Sequence, residues 1–543
     1  MRSEKLEVKY KVEQIRVALD FTEKSLKNKI ARTLGIFPNE IISVEILRKS
    51  LDARKSPPVY VISAEVERKT TPSGDNTPAT PSQTKGNCLF RECEGGVAKV
   101  SKGRPPSPFA CGANVVIGFG PAGISAAYTL AKAGLKPIVF ERGEEIANRQ
   151  IKVEKFWNAG ILDENSNVLF GEGGAGLFSD GKLTSRSKDT QNRNIFLEML
   201  IRHGADRSIL TDTKAHIGTD KLREIIKSIR EEIQELGGEI KFNSTLTELK
   251  IKDNKLAGIY INNELVETEN VILAIGHSAR ETYTMLEKHL TIEAKPFAIG
   301  VRVEFEQEII NRLQYGQHNA AHILSAASYS LTFKPNSPIL RPCYTFCMCP
   351  GGQVIACSAK TGTLSTNGMS YADRNMKFGN AAFLVPVGAN ELSLSDLEKI
   401  EKSAFERGGS NYSLPAQNLA SFLYDKDNID YGFSPHRYKM TDISGILPDF
   451  VEKTLKTAIP KMLNSIGKID FSKAAIFAAE TGSSSAVRIL RNPEGDNPLS
   501  LQSVSIQGLF PCGEGAGYAG GIVSSGIDGV KCANMLIGNS PRV

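Results

Sequence analysis

The sequence has no long hydrophobic run, which removes one large class of proteins from consideration. Its apolar stretches fall well short of the ~18–20 residues that a membrane-spanning helix needs, so no such helix is expected. The first residues contain acids and no apolar core, so neither a secretory signal nor an acid-poor transit peptide is expected. Nine cysteines, an odd number without regular spacing, argue against a disulfide framework. A cytoplasmic location is the expected default, with a plastid as the alternative.

The chain also lacks a strong charge imbalance. Its 66 basic and 60 acidic residues leave a net charge of +6, which does not by itself favour a nucleic-acid partner. A hydrophobic content of 41% and a charged content of 23% are typical of a soluble globular protein. A length of 543 residues is too great for one hydrophobic core, so two to four domains are expected.

What the chain does contain is a glycine pattern between two apolar runs. Residues 115–117 end at Gly118, and Gly118, Gly120 and Gly123 lead with G-x-G-x-x-G spacing into a helical pattern; a second apolar run ends at Glu141. This order predicts strand, tight turn, helix and strand, with a pyrophosphate on the helix N-terminus and Glu141 accepting the ribose hydroxyls. A glycine-rich turn without a ligand is the alternative, and the surrounding pattern favours the dinucleotide site.

A second glycine-rich turn lies near the other end of the chain. Residues 508–529 read as a short strand ending in Gly513 and Glu514, followed by a helix of small residues, and another apolar strand ends at Gly276. A free NAD domain completes its site within about 150 contiguous residues, whereas Gly118 and Gly513 are almost 400 residues apart. No second G-x-G-x-x-G follows an apolar strand. The sequence therefore favours FAD, held by both ends of the chain.

Composition shifts divide the chain into five expected segments. Residues 70–84 are polar, rich in proline and without periodicity, which predicts a flexible linker. Residues 1–68 show three strand patterns and a helix from Thr22 to Gly35, with a basic turn at 48–55. The expected segments are a small N-terminal α+β domain (1–68), the linker (69–110), the first part of the FAD-binding domain (111–294), a strand-rich substrate cap (295–440) and the C-terminal part of the FAD-binding domain (441–543).

Several long motifs together resemble a known family. They are KSLDARK from Lys49, GFGPAG from Gly118, FGEGGAGLFSDGKLT from Phe170, KPFAIGVR from Lys295, FCMCPGG from Phe346 and PCGEGAGYAGGI from Pro511. In these strings the chain resembles the uncharacterised bacterial and plastid FAD-dependent dehydrogenases, also called NAD(P)/FAD-dependent oxidoreductases and distantly related to glutathione-reductase-type flavoproteins. The resemblance implies an α/β fold with one Rossmann-like FAD-binding domain, an inserted strand-rich substrate domain and the small N-terminal domain.

The motifs and the resemblance together suggest a set of cofactor-binding residues. The set is Gly118, Gly120, Pro121, Ala122, Gly123, Glu141, Arg142, Arg149, Gly173, Gly174, Ala175, Gly176, Ser179, Gly276, Gly513, Glu514, Gly521 and Ile522. By resemblance, Arg142 and Arg149 would reach phosphate or ribityl oxygens, and Glu514 would meet the ribityl chain. The loop from Gly173 to Ser179 would pass beside the flavin. The family pattern has an arginine where this chain has Gly482, which puts turnover or substrate choice in question.

Candidates for the chemistry itself are few. Four cysteines with C-x3-C-x-C-x7-C spacing match no common zinc or iron–sulfur pattern, so no metal is expected: Cys343, Cys347, Cys349 and Cys357. Small buried residues are the simpler interpretation, and Cys349, just before a Pro-Gly-Gly turn, is the candidate thiol near substrate. His436 and Glu480 are candidates for acid–base chemistry or substrate binding. An ordinary loop histidine and an ordinary ion pair are their alternatives.

These observations favour an enzyme that moves a hydride between flavin N5 and an unidentified small substrate, an anion among the options. NAD(P)H as a transient co-substrate is part of this hypothesis. A first alternative uses the basic N-terminal domain in RNA or nucleotide modification, although that domain lacks interleaved exposed aromatics and nucleic acid is not expected as a partner. A second alternative, motivated by Gly482, is a flavin-binding scaffold without turnover.

Overall fold

The computed structural model describes residues 7–53, 57–69, 91–92, 114–316 and 324–539. The helices are α1 Glu23–Leu34, α2 Pro121–Lys132, α3 Ile146–Ala159, α4 Thr190–Arg202, α5 Thr219–Glu235, α6 Arg280–Leu286, α7 Gln307–Tyr315, α8 Leu394–Arg407, α9 Leu419–Tyr424, α10 Asp449–Asn464 and α11 Ile522–Asn539. The first eleven strands are β1 Glu7–Val17, β2 Ile41–Asp52, β3 Val59–Lys69, β4 Arg91–Glu92, β5 Asn114–Ile117, β6 Ile138–Phe140, β7 Glu239–Lys241, β8 Leu246–Lys252, β9 Lys255–Ile261, β10 Glu264–Val266 and β11 Asn270–Leu273. The remaining strands are β12 Ile292–Ala294, β13 Phe297–Glu306, β14 Thr332–Phe333, β15 Cys343–Cys349, β16 Gly352–Cys357, β17 Ser365–Ser370, β18 Phe378–Val387, β19 Leu414–Asn418, β20 Tyr438–Met440, β21 Ala475–Glu480, β22 Val487–Ile489 and β23 Leu509–Pro511.

The chain divides into two compact units. The first comprises residues 1–102, 206–215 and 314–325, and the second comprises 103–205, 216–313 and 326–543. Most of the expected linker, 69–110, lies outside the described residues. In the described part of the chain, no helix combines the length and the apolar character needed to cross a membrane.

The first unit is built on a four-stranded sheet with the order β2-β3-β1-β4. Thr22 caps α1 by accepting a hydrogen bond from the Ser25 N–H, and Gly35 ends the helix in the left-handed region with φ of 67°. Leu26 and Ile30 on the inner face of α1 are buried in the core of this unit. The helix predicted between Thr22 and Gly35 is therefore confirmed.

The basic segment at 48–55 is largely a strand, which corrects the expectation of a turn. β2 continues to Asp52 because its antiparallel ladder with β3 continues to that residue. Within the same unit, the Lys49 N–H donates to the Thr211 carbonyl at 2.9 Å, and Lys49 Nζ lies 3.4 Å from Asp212 Oδ1. Lys49 is thus engaged with another segment of its own chain. Outside the described residues lie Arg54 and Lys55.

A parallel five-stranded sheet with the order β23-β11-β5-β6-β7 forms the first half of the second unit. Ile117 of β5 pairs with Leu273 of β11, and Leu273 pairs with Pro511 of β23, so these three strands end at one edge. The turns that follow them therefore meet, although they are far apart in the sequence. α2 and α11 pack closely: Ser125 Oγ donates to the Gly526 carbonyl at 2.8 Å.

A seven-stranded mixed sheet, β14-β15-β18-β13-β21-β19-β20, forms the second half of this unit. β13 pairs with β18 along its full length and with β21 on its other side. Because β21 covers residues 475–480, the expected boundary between residues 440 and 441 does not separate this sheet from the nucleotide-binding segments. The chain leaves the seven-stranded sheet after Glu480, the last residue of β21.

β15 carries a bulge beside the turn that the sequence predicts. Its register with β18 moves from Phe346 opposite Ala382 to Cys349 opposite Asn380, so one extra residue is accommodated. Cys347 adopts the left-handed region with φ of 43°. Bulges of this kind redirect side chains and are frequent next to active sites.

Candidate functional site

One cavity of about 530 Å³ lies where β5, β11 and β23 end. Its wall includes Gly118 and Gly120 after β5, Glu141 after β6, Gly276 after β11 and Glu514 after β23. The opposite wall comes from the strand-rich sheet. Two turns almost 400 residues apart in the sequence therefore face the same space.

The glycines of the first turn are required by the fold. A Cβ on Gly118 would lie 2.3 Å from the Ala274 carbonyl oxygen, and the φ of this glycine is 92°. A Cβ on Gly123 would lie 1.9 Å from the Gly118 carbonyl oxygen. Only glycine allows this turn to press against the end of β11 while α2 starts directly behind it.

A second group of glycines lines the cavity with open space where a side chain would be. Added Cβ atoms on Gly276, Gly520 or Gly521 would meet no atom of the described residues within 4 Å. The space that their missing side chains leave belongs to the cavity itself. Together with the crowded first turn, this is the kind of cradle that a long dinucleotide cofactor requires.

Glu141 holds three loops together with its buried carboxylate. Oε2 accepts from the Phe119 N–H at 2.7 Å, and Oε1 accepts from the Gly143 and Gly171 N–H groups, both at 2.9 Å. A carboxylate offers about four acceptor positions, so roughly one is left for a ribose hydroxyl. Glu141 therefore has room to accept one ribose hydroxyl and not both. The residue lines the cavity, as expected.

Arg149 does not have the role expected from the resemblance. Its side chain is fully buried, and its guanidinium donates to four backbone carbonyls at 2.6–3.0 Å. These carbonyls belong to Asn167, Val168, Glu172 and Gly174. These four hydrogen bonds hold the loop of residues 167–174 in place, so the Arg149 guanidinium is not free to reach a phosphate or ribityl oxygen.

Arg142 does line the cavity. Its guanidinium stacks over Phe170 at 4.6 Å and donates to Glu281 at 2.8 Å. Among the described residues its Nε has no hydrogen-bond partner. Arg142 therefore keeps a donor beside the cavity wall.

Most of the other predicted cofactor residues lie on the cavity wall. The wall includes Pro121, Ala122, Gly174, Ala175, Gly176, Ser179 and Ile522. Gly123, Gly173 and Gly513 lie behind it, where the Gly173 N–H donates to the Phe119 carbonyl at 2.8 Å and the Gly513 N–H donates to Asp528 at 2.7 Å. These three glycines support the lining turns instead of forming the lining.

The N-terminus of α11 lies at the cavity, with Gly521 and Ile522 on its wall. The first N–H groups of a helix lack partners inside the helix, and its N-terminus carries a partial positive charge. An 18-residue helix therefore directs donors and positive potential toward the cavity. His277, whose Nδ1 lies 3.5 Å from Glu514 Oε1, lines the same region.

Glu480 lines the cavity but is held in a buried ion pair. Arg302 Nε and a terminal nitrogen donate to its two oxygens at 2.9 and 2.8 Å, and Thr366 Oγ1 donates at 2.9 Å. The same guanidinium donates to Asn380 at 2.8 Å. Arg302 is therefore not free to bind an anionic substrate, and Glu480 is better suited to positioning this wall than to proton transfer.

His436 and Cys349, the two other catalytic candidates, lie away from the lining. His436 is exposed and stacks on Trp157 with ring centroids 5.3 Å apart. Cys349 is fully buried, whereas Cys347, two residues earlier, lines the cavity. The sequence prediction favoured Cys349 because it directly precedes the Pro-Gly-Gly turn. In a regular strand residues two apart face the same side, and the bulge in β15 is what gives Cys347 and Cys349 different surroundings.

Lys182 is a cavity residue that the sequence did not single out. Its Nζ is buried and makes no hydrogen bond within the described ranges, and it lies 3.2 Å from Asp180 Oδ2. Asp180 is in turn held by both ends of the Arg374 guanidinium, one of them at 3.0 Å. A single lysine in a sequence is usually interpreted as a surface residue. The one feature that could have predicted its role is its position in D-G-K-L-T, at the end of a long glycine-rich motif.

A potential cation site near α11 is already neutralised. Cys512, Asp528 and Cys532 place ligand atoms within 4.8 Å of one another. Arg491 donates to both oxygens of Asp528 at 2.9 and 2.7 Å. A guanidinium in this position disfavours a metal ion, since it takes the carboxylate and adds positive charge.

Models of three protein families match the chain. Residues 9–67 match a domain of unknown function, residues 113–295 match pyridine nucleotide-disulphide oxidoreductase, and residues 296–483 match FAD-dependent protein, C-terminal domain-like. Together these segments contain three strands of the first sheet, four of the five strands of the parallel sheet with the first glycine turn, and the whole seven-stranded sheet; β4, β23 and the second glycine turn lie outside them.

An uncharacterised protein of Clostridium beijerinckii is 39% identical over 544 residues, covering 97% of this chain and 98% of that protein. Among solved structures, CtdE in complex with FAD is 12% identical with a TM-score of 0.30, covering 78% of this chain and 82% of that one. A geranylgeranyl bacteriochlorophyll reductase-like protein of Thermoplasma acidophilum is 13% identical with a TM-score of 0.33, covering 79% and 80%. Likeness at such TM-scores says nothing about substrate. The chain belongs, with the Clostridium protein, to a family of FAD-dependent oxidoreductases.

Proposed function

We propose that this protein is a dehydrogenase that binds one FAD along the cavity and transfers a hydride between flavin N5 and a small substrate. NAD(P)H is the proposed transient reductant, and a single nucleotide-binding domain of the glutathione-reductase type is the proposed arrangement. The observation that carries the proposal is the common cavity of the first glycine turn and the turn after β23. FAD has an adenosine half and a flavin half, and each of these two turns would hold one half.

The residues present fit this cofactor from one end to the other. Gly118, Gly120 and Arg142 would hold the adenosine and pyrophosphate, with Glu141 taking one ribose hydroxyl. Gly521 and the first turn of α11 would lie at the pyrimidine edge of the flavin. FAD supplies the two-electron chemistry when bound, and the protein supplies position, hydrogen bonds and exclusion of water.

In this proposal the two facing walls of the cavity have different roles. The N-terminus of α11 would stabilise negative charge at the flavin's N1/O2 edge through its free N–H groups. On the facing wall, Arg302 and Glu480 neutralise each other and hold Asn367 and Thr366 beside the cavity. Lys182 contributes a buried ammonium group to this wall, which suits a substrate or side chain with negative charge.

The absorption spectrum of the purified protein after incubation with FAD and gel filtration tests this proposal. Flavin bands should remain with the protein at about one FAD per chain, and anaerobic mixing with NADH or NADPH should bleach them. A folded protein that retains no flavin would contradict the cofactor site. Retained flavin that neither nicotinamide reduces would leave the site intact and remove the nicotinamide step.

A further inference from the structure

The segment from residue 182 to residue 186 lines the cavity with every second side chain. Lys182, Thr184 and Arg186 are on the cavity wall, whereas Leu183 is buried in the protein. Side chains that alternate in this way are typical of extended backbone. A bridge between Lys182 and His216 fixes the start of the segment. The three polar side chains therefore face the same space.

Arg186 differs from the other charged residues of the wall in having no partner. Four carboxylates line the cavity, and each already lies against another group of the protein: Glu141, Asp180, Glu480 and Glu514. Among the cations, Arg142 donates to Glu281 at 2.8 Å, and Lys182 Nζ lies 3.2 Å from Asp180 Oδ2. Within the described ranges the exposed Arg186 makes no ion pair or hydrogen bond. The cavity thus holds an unneutralised guanidinium.

The donors of this segment suit a carboxylate. A guanidinium is a planar fork of N–H groups that matches the two oxygens of a carboxylate. The Thr184 hydroxyl, on the same face of the segment, is a further donor. A phosphate group often binds at a helix N-terminus, but that of α4, which follows the segment, is occupied by Asp189, whose side chain accepts the Asn192 N–H at 3.0 Å.

β15 adds an apolar surface to the same cavity. Phe346 lines the cavity and leaves 37% of its surface exposed, although phenylalanine is usually among the buried residues. A ligand that covers this ring removes apolar area from water, which favours binding. The cavity therefore offers one contact for an anionic group and another for an apolar body.

We propose that the substrate is an organic carboxylate, with its carboxylate bound by Arg186 and Thr184 and its apolar body against Phe346. This inference rests on the proposed FAD site, because the substrate has to meet the flavin in the same cavity. Lys182 adds positive charge to this wall and remains beside Asp180. Arg186 is then the residue that makes the site selective for acids over neutral compounds of the same shape.

Titration of the FAD-reconstituted holoprotein with sodium benzoate at constant ionic strength tests this assignment through the flavin absorption spectrum. Benzoate should change the spectrum saturably, and benzamide, a neutral compound of similar shape, should bind at least about tenfold more weakly. Arg186→Met should retain its FAD and weaken benzoate binding by about the same factor. Phe346→Ala should weaken it as well. Lys188→Met, which removes an exposed lysine of the same segment outside the cavity lining, should match the wild type.

The possible outcomes separate this proposal from the cofactor proposal. Equal benzoate affinity of the wild type and Arg186→Met would overturn the carboxylate site, as would a holoprotein whose flavin spectrum does not respond to benzoate. Normal benzoate binding by Arg186→Met together with weaker binding of NADP+ would also overturn it and assign Arg186 to a phosphate of the nicotinamide coenzyme. A protein that retains no FAD would overturn both proposals, and its missing flavin bands are seen before benzoate is added.

Discussion

At the scale of single residues, a substitution of Gly521 is expected to affect cofactor binding without affecting the stability of the fold. A side chain there would enter the cavity and meet no atom of the described residues within 4 Å. We expect Gly521→Val to fold with an unchanged melting temperature and to bind FAD at least about tenfold more weakly, a loss of about 1.4 kcal/mol. Fluorescence titration with FAD measures the affinity.

Gly495→Val is the matched control for this prediction. Gly495 also has open space around its missing Cβ within the described residues, but it lies outside the cavity lining. Its FAD affinity should equal that of the wild type. Unchanged affinity in Gly521→Val would show that the space beside this glycine is not used by the cofactor.

Lys182 is predicted to hold Cys347 as a thiolate. Removing the ammonium in Lys182→Met should raise the pKa of Cys347, whose other charged or titratable neighbours are Cys349, Arg302 and Asp180. Alkylation of the Cys347 peptide at neutral pH should slow several-fold, and its pH midpoint should move upward. Lys531→Met, which removes a lysine paired with Asp189 and Glu494, is the control. An unchanged midpoint in Lys182→Met would contradict this role.

Glu304 makes the stability of the protein depend on pH. Burial raises the pKa of this carboxyl from its ordinary 4.5 to about 7, although Ser434 donates to it through its N–H at 2.8 Å and through its hydroxyl. The folded state therefore binds the proton more tightly than the unfolded state. Its contribution is most favourable below pH 4.5 and is lost as the pH rises through 7.

Glu304→Gln removes this titration while keeping an acceptor and adding a donor for Ser434. As the pH rises from 4.5 to 7, the free energy of unfolding of the variant minus that of the wild type should increase by on the order of 3 kcal/mol. Urea denaturation below, within and above this window measures the difference. Glu306→Gln, on the same strand with an ion pair to Lys377, keeps Glu304 and is the control. Parallel curves for Glu304→Gln and the wild type would rule out the raised pKa.

At the scale of secondary structure elements, the contact between α2 and α11 positions both halves of the cofactor site. A Cβ on Gly529 would lie 2.1 Å from the Ala122 carbonyl oxygen of α2. Gly529→Ala should therefore force the helices apart, lower the free energy of unfolding by about 1–3 kcal/mol and weaken FAD binding. Thermal denaturation and FAD titration measure both effects.

Gly538→Ala is the control on the same helix. Its Cβ would meet nothing among the described residues within 4 Å, and alanine is a better helix former than glycine by up to about 1 kcal/mol. It should be neutral or slightly stabilising. Equal stability of Gly529→Ala and Gly538→Ala would contradict the close helix contact.

The sequence predicted these elements better than it predicted individual side chains. The strand, turn and helix around Gly118, and the strand and helix around Gly513, follow from hydrophobic periodicity and glycine spacing, which are local properties. Arg149 failed as a cofactor contact because its donors are taken by carbonyls of another loop, and a long-range partner leaves no local pattern. Cys349 was favoured over Cys347 because it directly precedes the predicted turn, and no local pattern marks the single-residue bulge that gives the two cysteines different surroundings.

At the scale of the whole molecule, the parallel sheet explains why a cofactor site is assembled from distant parts of the chain. β5, β11 and β23 are neighbours in space, and their register brings Ile117, Leu273 and Pro511 to one edge. The seven-stranded sheet then supplies a facing wall that carries Cys347 and Glu480, the latter neutralised by Arg302. The segment boundary expected at residue 440 was misplaced because β21 joins this sheet from a distant part of the sequence.

The crystal structure of the FAD-reconstituted protein tests the central claim most directly. We predict a single FAD with its ribose beside Glu141 and its ring system beside Gly521 and Cys347, contacting turns from both ends of the chain. Density for FAD that contacts the first glycine turn alone, with the flavin outside the cavity and remote from Glu514, would contradict the account.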